Sequence, residues 1–176
     1  MKRIILALVA FLGIAGAASA QKFQIQAGYG GYTQMDATDM SDGSKVNSAW
    51  GAATLGFNAR ITPKIRLGAT YTFSSASFKH TDANVYYNVV LFNGFYDYFS
   101  RGDLKLYAHL GLGFDISHMS GGSVFENNHF STNQAYFAFQ ASPLGAEYNI
   151  GSGCNLFCEL GFGAQGLLQV GVRMNF

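Results

Sequence analysis

Arg60, Arg66, Asp97, Lys105, His109, Asp115, Glu159 and Arg173 are set one at a time into stretches of alternating apolar residues. Apolar side chains take every second position there, so each charge falls on the opposite face of an extended chain. The stretch LKLYAHLGLGFDIS shows it best. Leu104, Leu106, Ala108, Leu110, Leu112, Phe114 and Ile116 alternate with Lys105, Tyr107, His109, Gly111, Gly113, Asp115 and Ser117. Charges gathered on such faces can line a polar conduit, or they can pair and fill the space between strands. Charges taken out of water need partners, which favours pairing. Glu147 joins the set if the register of its strand shifts near Pro143, a residue with no ladder donor.

Other chemistry has less support. His80, His118 and His129 fall in polar connections, and the spacing of His118, Glu126 and His129 matches no zinc motif. No nucleophile–base motif stands out. Catalytic residues, metal ligands and cofactors are therefore expected to be none. Cys154 and Cys158 lie too far apart along one strand to bond, and could bridge only if Cys154 stays in the preceding turn. Free thiols are the expectation.

The elements that carry these residues are strands. The first is KFQIQAGYGGY, and others follow near AWGAATLGFNARI, KIRLGATYTFS, NVYYNVVLFNGFYDYF, LKLYAHLGLGFDIS, AYFAFQASPLGAEYNI, CNLFCELGFGA and GLLQVGVRMNF. Phe92, Gly94, Tyr96 and Tyr98 share one face of the fourth, but the same register puts Asn88 among them, so a bulge between Asn88 and Phe92 is expected. Helical periodicity is absent after residue 20. The start, MKRIILALVAFLGIAGAASA, reads as a secretory signal peptide: a basic start, an apolar stretch and a small-residue cleavage pattern before Gln21. The expected organisation is a leader over 1–20 and one barrel domain over 21–176.

Only 12% of the 176 residues are charged, while Gly numbers 22, Phe 16 and Tyr 10. Losing Lys2 and Arg3 with the leader turns a formal charge of +1 slightly acidic, which gives no electrostatic case for nucleic acid. After the leader, no apolar stretch is long enough for a membrane helix. A chain of this kind enters lipid only as a closed barrel. Alternation alone leaves open which face meets water, and two features point the apolar face outward. The polar face is rich in glycine, including Gly28, Gly30, Gly56, Gly68, Gly111, Gly113, Gly161, Gly163 and Gly171, which suits a narrow interior better than a soluble surface. The connections are also lopsided. Those expected at one rim span 33–48, 74–84, 117–133 and 164–166, and those at the other span 61–64, 99–103 and 149–154. Longer external loops and short periplasmic turns are the outer-membrane pattern. Aromatics at the rims, Trp50, Tyr29, Tyr71, Tyr96 and Tyr98, fit interfacial girdles.

The whole chain beyond the leader resembles the small eight-stranded outer-membrane β-barrel family of Gram-negative bacteria, opacity- or porin-like. FQASPLGAEY and ELGFGAQGLLQVGVRMNF resemble Bacteroides-like members. The end, GVRMNF, resembles the signal read by the barrel assembly machinery, with Gly171, Val172, Met174 and the terminal aromatic Phe176. The resemblance implies an all-β, eight-stranded antiparallel up-and-down transmembrane barrel. It would be exported through the periplasm and sit as a monomer in outer-membrane lipid. The expected function is a non-enzymatic structural or surface-interaction role with a side-chain-filled lumen. A narrow porin-like channel is the alternative, and an outer-membrane enzyme a more distant one. External stretches carrying Asp36, Asp39, Asp42, Lys45 and Asn127 offer a surface for a ligand.

Overall fold

The computed structural model describes residues 23–36, 46–78, 84–123 and 126–176. Eight strands follow one another: β1 (Phe23–Gly31), β2 (Val46–Arg60), β3 (Ile65–Phe78), β4 (Asn84–Arg101), β5 (Leu104–Ser123), β6 (Glu126–Gly151), β7 (Cys154–Gly163) and β8 (Leu168–Asn175). Each pairs antiparallel with its neighbours in chain order, and β1 closes on β8. The sheet has no edge within the membrane, so every backbone ladder there is satisfied without water.

The alternation in sequence becomes an inside and an outside. On β8 and at the residue after it, Leu168, Val170, Val172, Met174 and Phe176 are exposed while Gln169 and Arg173 are buried. Exposed apolar residues of this kind cover the whole outer wall, among them Leu55, Phe57, Leu67, Phe92, Leu110, Leu112 and Leu160. This is the inverse of a soluble protein, and it identifies the solvent of the outer wall as lipid.

Three expectations are corrected. The register of β4 on β5 runs without a break from Asn84 to Asp97, and the irregularity lies between Asp97 and Phe99 instead of between Asn88 and Phe92. Asn88 stays on the outer face, where Tyr71 Oη donates to its Oδ1 at 2.5 Å. The amide is thus tolerated by pairing with a neighbouring phenol, not by turning inward. Second, most of the polar stretches 74–84 and 117–133 are strand: β3 reaches Phe78, β4 starts at Asn84, β5 reaches Ser123 and β6 starts at Glu126. Strands above the bilayer have water on both sides and carry no apolar alternation, so their sequence reads as loop. Third, Asp36 is buried instead of displayed. Its Oδ2 accepts from the Thr33 backbone amide at 2.7 Å and from Thr33 Oγ1 at 3.0 Å, capping the start of the helical residues 34–36. Asp39, Asp42, Lys45 and His80 lie outside the described residues.

At Pro143 the expected shift occurs. The pairings Tyr107↔Gly145 and His109↔Ser142 leave one extra residue on β6. Glu147 turns inward as a result and is buried.

The barrel closes at its ends through Phe176. Its backbone amide donates to Phe23 O at 2.7 Å, and Phe23 N donates to Phe176 O at 3.1 Å. The ring itself is exposed. Deleting Phe176 removes the last rung of the closing ladder, and Phe176→Asp puts a charge on the lipid face. Both variants are expected to lower the yield of folded protein in the outer membrane at matched expression, read as the fraction with heat-modifiable gel mobility.

Candidate functional site

Among the described residues, the buried charged side chains gather chiefly in the lumen. Arg66 on β3 and Arg173 on β8 are each at most 1% exposed. Burying two guanidinium groups is tolerable only with charged acceptors on good geometry. Glu147 on β6 provides the shared acceptor: its Oε2 lies 2.8 Å from Arg66 Nη1 and 3.0 Å from Arg173 Nη1. Each arginine then reaches a second carboxylate. Arg66 Nη2 donates to Asp97 Oδ1 at 2.8 Å, and Arg173 Nη2 donates to Glu159 Oε1 at 2.7 Å. Arg60, partly exposed at the periplasmic mouth, adds a looser 3.5 Å contact to Asp97 Oδ2. His109 Nδ1 lies 2.8 Å from Glu159 Oε2 and its Nε2 lies 3.0 Å from Asn93 Oδ1.

These contacts form one chain across the barrel: Arg60, Asp97, Arg66, Glu147, Arg173, Glu159, His109. Three arginines meet three carboxylates along it, and both nitrogens of the His109 ring face oxygen atoms. Amides complete it. Gln24 Oε1 accepts from Arg66 Nη1 at 3.0 Å, and Gln26 Oε1 accepts from Arg173 Nε at 3.1 Å.

Aromatic rings fill the remaining cross-section. Arg66 lies 5.0 Å from the Phe95 ring centre and 4.9 Å from that of Tyr107, and Arg173 lies 5.1 and 4.7 Å from the same rings. The Phe157 ring is nearer still to Arg173, at 4.0 Å. Each contact is a cation–π attraction on a desolvated guanidinium. Tyr107 also donates its hydroxyl to Glu159 Oε1 at 2.8 Å. Glycine makes room for this ring: a Cβ at Gly145, its partner on β6, would stand 2.4 Å from Tyr107 Cε2.

Of the eight lumen charges expected from sequence, six belong to this chain, and Glu147 makes the seventh member. Lys105 is half-buried opposite Glu147 in the β6 register. Asp115 is buried apart from the others, in the row of Thr54, Thr72 and Val89 nearer the external mouth. The inward rings of Phe95 and Phe157 were not singled out by the sequence. Their parity was the available signal, since each sits in register with a buried polar residue on the next strand: Phe95 with Arg66, Phe157 with Glu147.

Above the charges the lumen turns apolar. Met35, Ala76, Val85, Tyr87, Val89, Leu91, Ala138 and Ala164 form a buried cluster. The β7–β8 turn folds inward to reach it. Gln165 Nε2 donates across the barrel to Thr70 Oγ1 at 2.8 Å, the Gln165 amide donates to Gln140 Oε1 at 2.9 Å, and Gly166 O accepts from Gln140 Nε2 at 3.3 Å. Among the described residues, no group of three or more His, Cys, Asp or Glu is placed to hold a metal ion. Cys154 and Cys158 are free thiols.

Residues 4–164 match the family model described as "Outer membrane protein beta-barrel domain". The chain belongs to that family. It is an integral outer-membrane protein that crosses the bilayer with strands. No curated protein matches the chain. Among solved structures it is similar to neisserial surface protein A, at 16% identity over 90% of this chain and 98% of that one, with a TM-score of 0.47. It is similar also to Ail, the attachment invasion locus protein of Yersinia pestis (14%, 88% and 93%, TM-score 0.46). A third similar structure is the N-terminal β-barrel domain of Pseudomonas aeruginosa OprF (12%, 88% and 97%, TM-score 0.44).

Removing the shared acceptor of this family member's lumen tests the reading of the network. Glu147→Ala leaves two buried guanidinium groups short of a counter-charge. Breaking a buried pair from one side costs about 3–5 kcal/mol. The expected outcome is a large fall in the urea midpoint of the barrel refolded in lipid vesicles, with Glu147→Gln falling less because the amide oxygen still accepts.

Proposed function

We propose that this outer-membrane barrel is a sealed, non-enzymatic envelope protein that anchors a tall external sheet at the cell surface. One observation carries the reading. The carboxylate of Glu147, buried at the barrel centre, is gripped by Arg66 and Arg173 from two other strands. Eight strands enclose little more than side-chain width. A cross-section tied by ion pairs and stacked rings leaves no standing aqueous path, and the inward turn at Gln165 adds a second barrier above it. What remains for function is the outer wall, held by lipid, and the strands that rise beyond it.

The same proposal covers biogenesis. Residues 1–20 act as the export leader, and the terminal GVRMNF, with Gly171, Val172, Met174 and Phe176, is the stretch read by the assembly machinery. The outward placement of Val172, Met174 and Phe176 on the last strand supports this. The likeness of FQASPLGAEY and ELGFGAQGLLQVGVRMNF to Bacteroides-like members supports an origin in such bacteria. The barrel stands as a monomer in its own membrane.

Conductance in planar bilayers checks the sealed lumen. Folded wild-type protein is expected to leave the bilayer quiet. Arg66→Ala combined with Glu159→Ala, which removes ions from both halves of the network, is expected to produce openings. Frequent stable openings from the wild type would replace this reading with a narrow channel.

A further inference from the structure

The strands of the barrel differ greatly in height, and one backbone edge is left open as a result. β6 pairs with β5 along its length, from Glu126 to Tyr148. On its other side β7 meets it only from Gln140 onward. The amide of Ala164 caps Phe139 O at 2.8 Å. From Glu126 to Ala138 no strand among the described residues covers that second side. At about 3.3 Å per residue this is roughly 40 Å of strand, rising beyond the short β7–β8–β1 wall.

Proteins usually blunt such an edge with Lys, Pro, bulges or a covering segment. The opposite free edge is blunted. β2 carries register shifts between Val46 and Ser48 and between Ala49 and Ala52, and the Tyr29 hydroxyl bonds the carbonyl of Trp50. On β6 the one irregularity of this stretch is at its tip, between the Glu126 and His129 pairings. Its ladder with β5 is regular from Tyr136 to His129, and NNHFSTNQAYFA contains no Pro, Lys, Arg, Asp or Glu. Tyr136 and Phe137 are well exposed on its two faces. Only another extended backbone matches a row of alternating amides and carbonyls.

Symmetry selects the occupant. Two like edges join into a continuous antiparallel sheet about a two-fold axis perpendicular to that sheet. The external sheet continues the barrel wall, so this axis lies in the membrane plane. Two copies related in that way face each other from opposed membranes. Past Glu126 at its tip, the edge carries no Lys, Arg, Asp or Glu to repel its own image.

We propose that the β6 edge from Glu126 to Ala138 pairs antiparallel with the same edge of a second copy on a facing membrane, so that the protein links outer membranes. The proposal rests on the surface-display half of the proposed function and is independent of whether the lumen conducts.

The test uses the full mature barrel refolded into lipid vesicles, with folding checked by heat-modifiable mobility and clustering read by turbidity. Wild-type vesicles are expected to cluster. The double variant Asn133→Lys with Ala135→Lys is expected to fold and to lose clustering down to the level of protein-free vesicles. The matching double variant to Glu is expected to lose it too, and mixing Lys with Glu vesicles is expected to restore it. Three results would overturn the proposal: no clustering by the wild type, undiminished clustering by either charged variant, or clustering that appears only once residues 39–43 are deleted. The last would assign the edge to the chain's own β1–β2 connection. Conductance of the same preparations reports separately on the sealed lumen.

Discussion

Two guanidinium groups buried inside a lipid-bound cylinder are the constraint around which the rest is arranged. Neither Arg66 nor Arg173 has water to turn to, and each must find acceptors on strands distant in sequence. Glu147 is the acceptor they share. To deliver it, β6 needs an extra residue at Pro143, because the regular alternation upstream would send Glu147 into lipid. The bulge, the glycine opposite Tyr107 and the amides of Gln24 and Gln26 all follow from placing that one carboxylate. Low dielectric strengthens each bond in the network and raises the penalty for any missing one. Such a network ties strands together across the inner half of the lumen, below the apolar cluster.

The outer half of the lumen solves the same problem differently. There the walls are tall and the mouth is near water, and buried Val89, Leu91 and Ala138 with Met35 occupy the space. The polar groups that enter are mostly uncharged: the hydroxyls of Thr54, Thr72, Ser74 and Ser117, and the amides around Gln165. Among the described residues, buried charge is concentrated in the inner half, with Asp115 and Asp36 as exceptions.

Much of this was legible in the sequence because a two-residue period is a strong signal where one face meets lipid and the other does not. Arg66, His109, Glu159 and Arg173 are placed by parity alone. The signal fails where its physical cause is absent. Above the bilayer both faces of β5 and β6 meet water, so HMSGGSVFENNHFST reads as loop although it is mostly ladder. Asn88 misleads in the opposite sense: it keeps the outward parity and borrows the Tyr71 hydroxyl, a pairing between strands that one chain position does not announce. Phe95 and Phe157 go inward as partners for arginine, and an aromatic residue in a membrane strand is read by default as facing lipid. The fold depends on averages over many residues and survives such errors. The network depends on single side chains meeting across the lumen.

The unequal strand lengths also bear on the lipid. β8 has 8 residues and β7 has 10, against 20 in β5. Eight residues tilted at about 45° rise roughly 19 Å, less than the apolar band of about 25 Å typical of such barrels. Lipid meets a short wall by thinning, at a modest cost for each ångström of mismatch. The bilayer is therefore pinched on the side of β8 and relaxed on the side of β5. The protein carries a fixed direction in the plane of the membrane, and shorter or more disordered acyl chains collect along one flank of it.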